Sequence, residues 1–85
     1  MKYIIDVREN DEFKSGHVAG AVHIPVGQLS AMIVSLDEKM SKDDNIIVYC
    51  RSGMRAGMAM EMLKKHGFTN VVNGINKDTV EARHV

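Results

Sequence analysis

The 85-residue chain has no tryptophan, one proline, one cysteine, two phenylalanines and two tyrosines. A lone cysteine excludes an internal disulfide and any Cys-x-x-Cys redox or zinc arrangement, and it leaves no second thiol to resolve an oxidised first one. No apolar run approaches the roughly 18 residues of a spanning helix, and the N-terminus lacks the charged, apolar and small-residue succession of a secretory signal. A cytoplasmic location without membrane contact is therefore expected. Eleven basic and eleven acidic residues cancel, so no global field favours nucleic acid or an anionic membrane, and any anion must be bound locally. The length suits one minimal domain over residues 1–85, with a small core and modest stability.

What is present is concentrated around that cysteine. Cys50 closes the apolar run Ile46-Ile47-Val48-Tyr49 and precedes a helix-forming stretch from Arg55 to Leu63. A sulfur at this junction faces backbone N–H groups and the positive end of a helix dipole, and two guanidinium groups flank it, all of which favour the thiolate. A packed, inert cysteine is the competing interpretation, since free cysteine is often buried. Arg51, Ser52, Gly53 and Arg55 make a poor apolar wall, however, and Gly53 allows the backbone to turn amides around an anion. Cys50 is thus the candidate nucleophile, and Arg51, Ser52, Gly53, Met54 and Arg55 are the candidate substrate-binding loop.

The rest of the chain alternates strand and helix signals. Strands are expected at Tyr3–Val7, Ala21–Ile24, Ile46–Tyr49 and Asn70–Val72. Between them lie a helical turn at Asp11–Ser15 and helices at Gln28–Met40 and Arg55–His66, the last stopped by Gly67. This alternation implies an α/β domain with a small parallel sheet of about four strands and helices on both faces. Asp6 and Arg8, with Glu12 nearby, suggest a half-buried polar network that fixes the first strand-to-helix turn and supports the Cys50 loop from behind. His17 and His23 have no cysteine or carboxylate at ligand spacing, so no metal site is expected. His17 reads as a turn residue bonded to nearby backbone, His66 as a helix C-terminus and His84 as a frayed end. Ala56, Ala59, Met60 and Leu63 form the inner face of the helix after the loop, with Phe68 beyond it. Met54 reads as an apolar rim.

Three segments resemble the single-domain rhodaneses. They are Ile5-Asp6-Val7-Arg8 with Glu12-Phe13, then Gly16-His17-Val18-Ala19-Gly20-Ala21-Val22-His23-Ile24-Pro25, then Val48 to Ala56 running on to Leu63 and to Gly67-Phe68-Thr69-Asn70-Val71. Their order and spacing also match. The resemblance implies a rhodanese-like three-layer α/β/α fold, with strand order second, first, third, fourth. Asn73-Gly74-Ile75 stands where relatives usually carry paired glycines and often a tryptophan, so the last dozen residues have no assigned structure.

What the resemblance implies about activity is thiosulfate sulfurtransfer through a Cys50 persulfide. A small anionic sulfur donor would load Cys50, and a thiol, cyanide or a protein acceptor would unload it, with no cofactor. Cysteine phosphatases of this fold place five residues between nucleophile and arginine, whereas here four, Arg51 to Met54, separate Cys50 from Arg55. The smaller loop suits a persulfide better than a phosphoryl group. Cationic Arg51 and Arg55 resemble loops associated with thiosulfate rather than mercaptopyruvate. A sulfur-carrier or docking module without turnover is the alternative.

Overall fold

A computed structural model covers residues 1–85. The chain runs β1 (Lys2–Asp6), α1 (Asn10–Lys14), β2 (Val22–His23), α2 (Val26–Leu36), β3 (Asn45–Cys50), α3 (Met54–Lys65), β4 (Asn70–Asn76) and α4 (Lys77–Arg83). All strand pairs are parallel, in the order β2-β1-β3-β4. The α/β layering and the strand order agree with expectation. Because β1 and β3 are neighbours whose connections leave in different directions, a crevice opens beyond their carboxyl ends, where open α/β sheets bind ligands. Cys50, the last residue of β3, sits there.

The two-residue period of a strand assigns each side chain of β3 to one face of the sheet. Ile46, Val48 and Cys50 join a cluster of 14 buried residues with Ile5, Val7, Leu29, Leu36, Ala56, Ala59, Leu63, Phe68 and others. This face is covered by α2 and α3. Ile47 and Tyr49 point the other way, into a cluster of four completed by Val18 and Val80 of α4. No helix is long and apolar enough to cross a membrane.

Two elements differ from the sequence expectation by more than one residue at an end. The first long helix, α2, begins at Val26 and ends at Leu36 rather than running from Gln28 to Met40. Pro25 starts it early, because a proline fixes the backbone while needing no hydrogen bond of its own. Asp37 stops it; its carboxylate is drawn sideways to Lys42 at 2.7 Å and His66 at 3.0 Å. The larger difference lies at the C-terminus. β4 continues to Asn76, four residues past Val72, and the remaining residues form α4.

A bulge makes that extension possible. Val48 pairs with Asn73 but Tyr49 pairs with Ile75, so Gly74 is the extra residue, and Ile75 adopts a left-handed φ of 74°. A Cβ on Gly74 would lie 2.6 Å from Val80 Cγ2 and 2.8 Å from Ile47 Cγ2. Only glycine lets α4 pack this closely on the sheet. His84, expected to fray, instead closes α4: its N–H donates to Val80 O at 2.8 Å and its carbonyl accepts from Lys2 Nζ.

Candidate active site

The Cys50 loop is short because β3 ends at Cys50 and α3 begins four residues later, at Met54. Gly53 makes the turn with φ 95°, a left-handed conformation that costs other residues about 1–2 kcal/mol. The turn aims main-chain donors at the sulfur. Gly53 N–H donates to Cys50 Sγ at 3.0 Å and Ala56 N–H at 3.4 Å. Burial pushes the thiol up, and the amides of Ala56, Ser52, Gly53 and Arg55 pull it down by more, so it titrates below the ordinary thiol value. The residue is 1% exposed and packs on the apolar cluster from below. Above it, a cleft of about 310 Å³ is lined by Arg8, Cys50, Arg51, Asn76, Lys77 and Asp78.

The two loop arginines have different surroundings. Arg51 is exposed at the cleft and makes no ion pair. Arg55 is clamped by Glu12 of α1, through Nη1–Oε1 at 2.7 Å and Nη2–Oε2 at 3.0 Å. Glu12 also accepts from Glu9 N–H at 3.0 Å. Held by the Arg55 hydrogen bonds first and the Glu9 amide second, its carboxyl is lowered to about 2. Met54, the expected rim, is 79% exposed at the start of α3.

Asp6 and Arg8 meet as expected, though Glu12 belongs to the Arg55 pair rather than to their network. Asp6 is fully buried and accepts from Arg8 Nε at 3.0 Å, Arg8 Nη2 at 2.7 Å and Tyr49 Oη at 2.8 Å. Burial raises its carboxyl, and the hydrogen bonds from Arg8 and Tyr49 more than offset this, leaving it below the usual carboxylate range. Tyr49, raised to about 12 chiefly by burial, stays a neutral donor. Arg8 also donates to Gly16 O at 2.7 Å. The network therefore ties β1, β3 and the α1–β2 loop together directly behind the cleft.

Four residues outside the sequence expectation shape this site. Asn73 donates to Gly53 O at 2.9 Å and accepts from Ile75 N–H at 2.9 Å, so one side chain braces both the cradle loop and the β4 bulge. Asn76 caps α4 by accepting from Thr79 N–H at 2.8 Å. Lys77 and Asp78 follow it into the cleft wall. The Asn before a short helical pattern was the available signal for α4. His17 Nδ1 donates to Phe13 O at 2.9 Å, the backbone contact expected of it. Its ring stacks on Phe13 at 3.6 Å, and Phe13 stacks in turn on His23 at 4.3 Å. These rings are thereby occupied in holding α1 to the sheet.

The model of the rhodanese-like domain matches residues 1–76. This chain belongs to the rhodanese-like family. Thiosulfate sulfurtransferase PspE of Escherichia coli is 36% identical over 69 residues, which cover 81% of this chain and 64% of the relative. The Bacillus subtilis protein YrkF, whose name proposes a sulfur carrier, is 41% identical over 70 residues, covering 82% of this chain and 36% of the relative. Among solved structures, a rhodanese with anions from E. coli superposes with a TM-score of 0.81 at 32% identity, over 93% of this chain and 91% of that one. The chain spans only 36% to 64% of the length of these two curated relatives.

Proposed function

We propose that this rhodanese-like domain is a sulfurtransferase that carries sulfane sulfur as a persulfide on Cys50. The observation that carries the reading is the sulfur itself, which receives main-chain N–H groups at 3.0 and 3.4 Å on the wall of an open cleft. In the first step the Cys50 thiolate attacks the outer sulfur of thiosulfate or a similar anionic donor. A new S–S bond forms to Sγ, the donor's own S–S bond breaks, and sulfite leaves with the electron pair. In the second step an acceptor thiolate or cyanide attacks the outer sulfur and Cys50 leaves as thiolate. Both steps start and end with a thiolate or persulfide anion that the same amides stabilise, so neither needs a general base.

The surrounding residues divide this work. Gly53 and Ser52 supply the turn and its amides. Arg51 meets the anionic donor. Arg55, fixed by Glu12, anchors the first turn of α3 and adds a positive charge near Sγ, a coupling seen in its own upward shift, caused first by Glu12 and to a smaller extent by Cys50. Asp6 and Arg8 hold β1 against β3 beneath the loop. The test is intact mass after incubation with thiosulfate. The wild-type protein should gain about 32 Da, one sulfur atom, and Cys50→Ser should gain nothing; an unmodified wild-type protein, or equal gain in the variant, would remove Cys50 from the reaction.

A sulfur relay to a protein partner is the second reading. Met54 and Met58, both exposed on α3, and Ile75 beside Gly53 place apolar surface next to the site, and one relative carries a sulfur-carrier name. Persulfide loading without turnover toward cyanide or small thiols would favour the relay. Steady turnover would favour the enzyme.

A further inference from the structure

The cations near Cys50 are not equally free to receive a ligand. Arg8 lines the cleft but is committed to buried Asp6 and to Gly16 O. Arg55 is committed to Glu12 and lies outside the lining. That leaves Arg51, which is unpaired, and Lys77, which enters the cleft wall from the β4–α4 junction. The Lys77 stem reaches toward the α1–β2 loop, its Cε 4.0 Å from where a Cβ on Gly16 would sit. Its one ionic partner is Glu81, at 3.2 Å one turn along α4, on the surface. Such an exposed pair is weak and exchanges readily for a stronger anion.

We propose that Lys77, together with Arg51, sets the preference for doubly charged sulfur donors by receiving the donor's sulfonate end while its outer sulfur faces Cys50. This rests on the sulfurtransfer reading above and adds to it a residue that selects by charge. Asp78 lines the same cleft and opposes an incoming anion, so Lys77 and Asp78 act with opposite sign on the same selection. Cleft charge of this kind acts on a dianion about twice as strongly as on a monoanion at the same place.

Thiosulfate and benzenethiosulfonate make the comparison, because both deliver a sulfane sulfur by the same displacement. In each, Sγ bonds to the outer sulfur and the bond from that atom to the sulfonyl sulfur breaks. The electron pair leaves with sulfite in one case and with benzenesulfinate in the other. Lys77→Gln should lower kcat/KM for thiosulfate about tenfold and for benzenethiosulfonate about threefold, and the gap should shrink as salt is added. Lys77→Arg should restore both to within about twofold of wild type. Asp78→Asn should shift the ratio about threefold the other way, toward thiosulfate. A partly unfolded variant would lower both donors equally, so the ratio isolates charge. An unchanged ratio in Lys77→Gln, or in Asp78→Asn, would overturn the assignment. A wild-type protein that gains no sulfur from either donor would instead overturn the sulfurtransfer reading and this inference with it.

Discussion

The two faces of the sheet are built differently, though the same five residues of β3 supply both. On the α2–α3 face, Ile46, Val48 and Cys50 sit in a cluster of 14 buried residues. On the α4 face, Ile47 and Tyr49 sit in a cluster of four, and the largest buried feature beside it is the ionised Asp6 with Arg8 and Tyr49. The thick face is stabilised mainly by apolar burial. The thin face depends on satisfied hydrogen bonds, and no buried side-chain polar atom in the structure lacks a partner. Cys50 is placed at the carboxyl end of the thick face: its stem packs on grease, and its sulfur meets the amides of the loop. The proposed persulfide carrier is thereby reached from the cleft without opening the main core.

Single substitutions should separate the two contributions. The largest loss is expected from Leu63→Ala on the thick face, about 3–4 kcal/mol of unfolding free energy. Because Leu63 lies about two turns along α3 from Ala56, beyond the amides that donate to Sγ, the thiol titration of the folded protein should stay put; a moved titration would show that the faces are not separable. Asp6→Asn on the thin face should cost about 3 kcal/mol, because it leaves the Arg8 charge half-buried and uncompensated. Chemical denaturation measures both. If Asp6→Asn is as mild as an exposed substitution, the ionic network is not what holds this face.

Smaller effects sharpen the boundary between them. Gly53→Ala forces a Cβ into a left-handed backbone and should cost about 1–2 kcal/mol while raising the Cys50 titration, as the amides turn away. A stability loss with an unmoved thiol would contradict the cradle. Glu12→Gln should cost about 1 kcal/mol, because the pair with Arg55 is partly solvated. The sign with pH follows from a folded value of about 2 against an ordinary 4.5. The contribution is complete above about pH 4.5 and is lost as pH falls toward 2, so wild type and variant should converge in acid and differ near neutrality. Denaturation midpoints at several pH values check this.

The parts of the molecule visible in sequence were those encoded by neighbouring residues. Ile4-Ile5 and Ile46-Ile47-Val48 announce buried strands, the Ala56, Ala59, Leu63 stripe announces the inner face of α3, and Cys50 to Arg55 is a contiguous loop. What escaped depends on residues brought together from afar. Glu12 and Arg55 pair across 43 positions, and Glu12 stood beside Asp6 and Arg8 in sequence, which suggested the wrong partner. Asn73-Gly74-Ile75 resembles an ordinary turn, because neither propensity nor periodicity signals a bulge whose glycine is demanded by Val80 and Ile47 packing over it. With β4 cut short, α4 had nothing to pack against. Lys77 and Asp78 were lost from the candidate site for the same reason.

Sulfur transfer as proposed requires the ionisation of one sulfur, which thiolate ultraviolet absorbance reads directly across pH in the native protein, with Cys50→Ser as the blank. The cradle predicts a single cysteine transition with its midpoint below that of a free thiol, rising toward the free value in Gly53→Ala. A midpoint at or above the free-thiol value in the folded wild-type protein would contradict it.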